Sequence, residues 1–202
     1  MPPVYTAAVR PQNLSRRTCL LGLGGAASLF LTPRLQAATD PTDGWQALQS
    51  GGVVLMRHAF APGLGDPPGF ELGQCATQRN LSSGGRDQAR RIGQAFRNRG
   101  VNVRRVLASQ WCRTQETAEL AFPGLVETHP AFNSFFQDAR SQDEQTRQAQ
   151  ALIRAWTGPG VMVVVTHQVN ITALTGVVPS SGEGLVVRPQ GEPLPVLGRL
   201  AF

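Results

Sequence analysis

Two short apolar runs each end at a histidine, Val53-Val54-Leu55-Met56 at Arg57-His58 and Val161-Met162-Val163-Val164-Val165 at Thr166-His167. Imidazole is largely uncharged at neutral pH and can attack an electrophile or carry a proton. Arg57 directly precedes His58, and Arg113 lies in the segment Ser109-Gln110-Trp111-Cys112-Arg113. Guanidinium forks hold oxyanions through paired, charge-assisted hydrogen bonds, which a lysine cannot do. Two cations beside an imidazole also disfavour its protonation and keep the attacking nitrogen free. Phosphoryl transfer asks mainly that the group be positioned and its oxygens neutralised, so this set suits it, with neither metal nor cofactor required. Each residue also has a plainer reading. Arg113 is at helix spacing for an exposed ion pair with Glu116, and Ser109 can simply start a turn. His129, followed by Pro130, reads as a surface residue.

The elements that must position these residues alternate in type. Residues 53–56, 103–108 and 161–165 read as buried strands, with 125–128 as a further short one. Helical spacing of apolar residues marks 82–100 and 149–156, the latter behind a capping box at Ser141-Gln142-Asp143-Glu144. Further helices are expected over 112–121 and 169–176, and 185–188 with 196–200 read as an edge hairpin. Strands alternating with helices imply an α/β three-layer sandwich, a mainly parallel sheet covered by helices on both faces. Arg57, His58, Arg113 and His167 then all fall at the carboxyl edge of that sheet, where open α/β sheets bind ligands. Between them, residues 59–80 form a long Gly- and Pro-rich loop, and such loops in compact domains are usually functional.

Four segments together resemble the histidine phosphatase superfamily, the phosphoglycerate-mutase-like enzymes: Leu55-Met56-Arg57-His58-Ala59, Asn80-Leu81-Ser82 with Gly85-Arg86-Asp87-Gln88-Ala89, Ser109 to Ala118, and Val165-Thr166-His167. The resemblance implies a phosphate pocket of Arg57, Arg113 and His167 around a nucleophilic His58, and hydrolysis of phosphate monoesters through a phosphohistidine. It implies a small-molecule or glycan phosphate ester as partner and no metal. Arg79 is the candidate for an anionic part of the substrate; a solvated loop arginine is its plainer reading. The chain departs from the family at the proton donor, since Gln168 follows His167. Asp138 is the nearest carboxylate beyond the third strand and the possible donor. Two other readings stay open: a phosphate-binding relative without turnover, and a protein-phosphohistidine phosphatase.

Residues 1–38 contain four arginines, no acidic residue and an apolar run from Cys19 to Leu31, the pattern of a secretion signal. Ser15-Arg16-Arg17-Thr18-Cys19-Leu20-Leu21 resembles a twin-arginine signal. The expected organisation is therefore an export signal over 1–38, a linker over 39–50 and the phosphatase domain over 51–202, placed in the periplasm or outside the cell. The apolar run is too short to span a bilayer, so no stable membrane insertion is expected once the signal is removed. Of the formal net charge of +6, all but +2 resides in the signal, and no basic stripe interleaved with aromatics follows it, so no nucleic-acid partner is expected. Cys75 and Cys112 lie beyond the signal, where an oxidising compartment permits pairing. The alternatives of a bond and of two thiols both stand.

Overall fold

Uniformly apolar strands need cover on both faces, and the chain supplies it. The structure, a computed structural model, describes residues 42–202, all within one compact unit. The expected export signal lies outside them. Among the described residues seven strands form one sheet: β1 (Thr42–Asp43), β2 (Gly52–Arg57), β3 (Val103–Ala108), β4 (Val126–Thr128), β5 (Val161–Thr166), β6 (Gly184–Val187) and β7 (Val196–Leu200), in the order β1-β7-β6-β2-β5-β3-β4. Only β6 runs against its neighbours.

Side chains alternate across the central strands with the period of two that a pleated strand imposes. Val54 and Met56 of β2 and Val163 and Val165 of β5 pack on α2 (Ser83–Asn98) and α3 (Cys112–Ala121), through Ile92, Phe96, Ala118 and Ala121. Val53 and Leu55, with Met162 and Val164, pack on α4 (Gln142–Arg154) and α5 (Gln168–Thr175), through Ala149, Ile153, Ile171 and Leu174. The expected three-layer sandwich is the observed one.

Three local expectations are corrected. The segment read as a linker over 39–50 includes β1 and a short helix, α1 (Gly44–Ala47), whose Trp45 meets Phe96 edge-on at 5.1 Å while Leu48 is buried. Apolar burial, which a linker cannot offer, holds it to the domain. The 185–188 strand is interior rather than an edge, because β6 lies between β2 and β7. The capping box does not form: Ser141 ends a 3-10 turn (Ala139–Ser141) in helical conformation, and its hydroxyl donates to the Asp138 carbonyl instead of capping α4.

Candidate active site

The sheet register brings the two histidines together. Arg57 of β2 pairs with Thr166 of β5, and the next N–H on β2, that of His58, donates to the Thr166 carbonyl at 3.0 Å. On the other side of β5 the Ser109 N–H donates to Val165 at 3.1 Å, so β3 delivers its own carboxyl end beside them. The rings of His58 and His167 meet edge to face, 5.6 Å between centroids. Arg113, in the first turn of α3, and both histidines are no more than 3 % exposed. Arg57, His58, Arg113 and His167, with Arg79, Asp66 and Gln168, line one cavity of about 110 Å³. A larger open depression of about 830 Å³ lies at the opposite, amino-terminal end of the strands, but among the described residues its only charged lining residue is Arg99.

Each ring nitrogen has an assigned role. His58 Nδ1 lies 2.7 Å from the Ala59 carbonyl, which can only accept, so Nδ1 carries the proton and Nε2 the lone pair. Burial, assisted by Arg113, Arg79 and Arg57, lowers the pKa of His58 to about 3, against the smaller opposing effect of the Ala59 bond. His167 faces Arg113 Nη2 at 3.4 Å through Nδ1 and Ser109 Oγ at 2.8 Å through Nε2. An arginine only donates, so Nδ1 accepts and the Nε2 proton goes to Ser109, whose hydroxyl points on to Asn133 Oδ1. Burial first, then the proximity of His58 and the charges of the arginines, keeps the His167 pKa well below its ordinary value.

The arginines are held from outside the cavity. Arg57 Nη1 donates to the Pro179 carbonyl, while its buried Nε has no partner among the described residues. Arg113 makes a two-pronged bond to Asp66, Nη1 to Oδ1 at 2.6 Å and Nη2 to Oδ2 at 3.1 Å, with both side chains 3 % exposed; its Nε is likewise buried and unpaired. The ion pair read for Arg113 with Glu116 is absent, because Glu116 bonds Arg86 instead. Arg79 is half-buried and donates to the carbonyls of Gly65 and Ala61, so it is a cavity residue that also ties the loop down.

Asp138 does not line the cavity. Side-chain and backbone hydrogen bonds from Arg140 lower its pKa to about 2 at the surface, which leaves it neither placed nor protonated to serve as an acid. His129 accepts the Ala131 N–H and caps a 3-10 turn. Cys75 and Cys112 are joined, with Cα atoms 5.6 Å apart, tying the 59–80 loop to the residue before Arg113.

Sequence reasoning missed Asp66, the carboxylate that lines the cavity, and underrated Ser109. The available signal for Asp66 was its being the first acidic residue after His58, inside a loop already suspected of function. Burial pushes its carboxyl up, but hydrogen bonds from Arg113 and Trp111 outweigh this and hold it below the ordinary range. Among the described residues no group of three or more His, Cys, Asp or Glu side chains is placed to hold a metal ion.

A family model described as the histidine phosphatase superfamily (branch 1) matches residues 53–133, the stretch from β2 through β3 and α3 that carries Arg57, His58, Ser109 and Arg113. Over this stretch the chain is similar to the histidine phosphatase superfamily. The protein histidine phosphatase SixA complexed with tungstate is similar at 18 % identity and TM-score 0.51, over 74 % of this chain and 96 % of that one. The product of open reading frame Rv3214 from Mycobacterium tuberculosis is similar at 16 % identity and TM-score 0.52, over 73 % and 96 %. TTHB049 from Thermus thermophilus is similar at 20 % identity and TM-score 0.50, over 74 % and 94 %. No curated protein matches in sequence. At these identities the likeness establishes the fold, and the chemistry of this protein rests on its own residues.

Proposed function

We propose that this protein hydrolyses phosphate monoesters, without a metal, through a phosphohistidine on Nε2 of His58. One observation carries the reading: the guanidinium groups of part-buried Arg57 and buried Arg113 line the cavity beside a lone-pair nitrogen, and the buried Nε–H of each has no partner among the described residues. Buried donors without acceptors cost free energy, and an anion bound between them recovers it. The His58 lone pair attacks phosphorus, the bond from phosphorus to the ester oxygen breaks, and that oxygen leaves with the electron pair. Water then attacks the phosphohistidine, giving orthophosphate and restoring neutral His58.

Among the described residues Asp66 is the sole carboxylate lining the cavity, and its two oxygens accept from Arg113, Trp111 and the Arg79 N–H. It has no proton to give, so the leaving oxygen departs with little assistance. Esters with good leaving groups, aryl phosphates above alkyl phosphates, are the favoured class, and phosphoramidates such as protein phosphohistidine share that property. His58→Ala should abolish hydrolysis of an aryl phosphate, and single-turnover reaction of the unaltered enzyme should leave acid-labile phosphate on His58. Phosphate retained without a covalent adduct would instead mark an anion-binding protein.

We also propose that the enzyme works outside the cytoplasm. The Cys75–Cys112 bond fits an oxidising compartment, and the Arg16-Arg17 leader supports export. Cell fractionation should find a shortened protein in the periplasm; a full-length cytoplasmic product would refute this.

A further inference from the structure

We infer that Asp66 is a positioning residue for Arg113, clamping one edge of its guanidinium so that the other is presented to the phosphoryl group; this rests on the phosphatase reading above. A guanidinium is planar, with one edge formed by Nη1 and Nη2 and another by Nε and Nη2. Asp66 takes the first edge, with bonds of 2.6 and 3.1 Å. The second edge holds the unpartnered Nε, and Nη2 reaches His167 Nδ1 at 3.4 Å. The edge left for an oxyanion is therefore the one beside His167, in the cavity that His58 also lines.

Asp66 is itself built in. Its Oδ2 accepts from Trp111 Nε1 at 2.9 Å, and its Oδ1 accepts from the Arg79 N–H at 3.2 Å. Gln137 Nε2 donates to its carbonyl at 3.2 Å. Trp111 is stacked on Phe70, with centroids 5.0 Å apart, so the indole that donates to Asp66 is fixed in turn. Pro67 and Pro68 follow Asp66 and restrict the backbone that carries it. A carboxylate serving as proton donor needs one oxygen free to carry a proton to the substrate. Asp66 has both oxygens committed to donors.

The test compares Asp66→Asn with the unaltered protein, using orthophosphate affinity and kcat/KM for one aryl and one alkyl phosphate. Misplacing a gripping group by about 1 Å can cost ~10²-fold. The expected result is a loss of about 10- to 100-fold in kcat/KM, equal for both esters, with orthophosphate binding weakened in parallel and no additional loss from Asp66→Asn once Arg113 is Ala. A loss confined to the alkyl ester would make Asp66 the acid and overturn the inference. An equal loss with Arg113 already Ala would show that Asp66 acts other than through Arg113, and unchanged kinetics would show no positioning role. If Asp66→Asn does not fold, Asp66→Glu, which keeps the charge but displaces the oxygens, is judged by the same outcomes. If the unaltered protein hydrolyses neither ester, the phosphatase reading fails, while the orthophosphate comparison still decides whether Asp66 orients Arg113.

Discussion

The hydroxyl of Ser109 lies 2.8 Å from Nε2 of His167, at the point where β3 and β5 deliver their carboxyl ends side by side. It also accepts the Trp111 N–H at 3.2 Å, so it both holds the turn that leads into α3 and fixes a ring in the cavity. In the structure Nε2–H donates to Ser109 and Nδ1 is a lone pair facing Arg113. A hydroxyl can reverse that bond, donating to Nε2 and leaving the proton on Nδ1, where it can bond a phosphoryl oxygen. Ser109→Ala removes both the fixed ring and this reversal. The expected outcome is a fall in kcat of about tenfold or more, with a stability loss of about 1–3 kcal/mol for the buried nitrogen left unpaired. Steady-state kinetics and denaturant titration measure the two separately.

The depressed pKa of His58 has a consequence for stability. Its folded value is about 3 and its ordinary value 6.5, so between these the unfolded chain binds the proton and the folded chain does not. Stability from this group is complete above about pH 6.5 and is lost as pH falls toward 3. At about 1.4 kcal/mol per pKa unit the loss is on the order of a few kcal/mol. Melting temperature should therefore drop on acidification across that window, and more gently in His58→Ala, whose alanine has no proton to take up. Equal slopes in the two proteins would contradict the assignment.

Asp138→Asn should leave kcat/KM for aryl and alkyl phosphates alike unchanged. The carboxylate is at the surface, bonded to Arg140, and such exposed pairs contribute little. A selective loss on the alkyl ester would restore Asp138 as the proton donor.

The Cys75–Cys112 bond spans a sequence separation of 37, and cross-links of that reach commonly add about 2–4 kcal/mol. Reduction should lower the melting temperature by several degrees. It should leave kcat within a few fold, because the Cys112 N–H still donates to Gln78 Oε1 and Arg113 still holds Asp66. Thiol labelling with and without reductant reports whether the bond is present.

Much of the site was legible because its residues follow strands whose apolar runs are local and unambiguous. Arg57, His58 and His167 are placed by β2 and β5 alone, and parallel pairing brings them to one edge. Asp66 was not legible. No periodicity marks it, its partner Arg113 is 47 residues away, and the path of its loop is set by glycines, prolines, Arg79 and the disulfide together. The interior position of β6 was hidden for a similar reason, since strand order is decided by long-range pairing that a short apolar run does not encode. The failed capping box had correct residue types, but the 3-10 turn before it had already placed Ser141 in helical conformation.

Two glycines of α2 separate stability from catalysis. A Cβ at Gly93 would lie 2.1 Å from the Ala121 carbonyl oxygen, and one at Gly85 would lie 2.0 Å from that of Phe60. Both contacts are with backbone, so neither is relieved by a rotamer change. Gly93 is where α2 packs on α3, away from the cavity lining, and Gly93→Ala should lower the melting temperature while KM for an aryl phosphate stays near that of the unaltered enzyme. Gly85 packs on the segment directly after His58, the proposed nucleophile: the Ala59 carbonyl accepts from His58 Nδ1, and the Ala59 N–H donates to Thr117. Pushing Phe60 away disturbs the bond that keeps the His58 proton on Nδ1. Gly85→Ala should therefore cost about 10²-fold in kcat/KM, a loss out of proportion to its effect on stability. Parallel melting curves and kinetics of the two variants would decide this, and a Gly85→Ala enzyme with unimpaired turnover would show that the Ala59 contact does not govern His58.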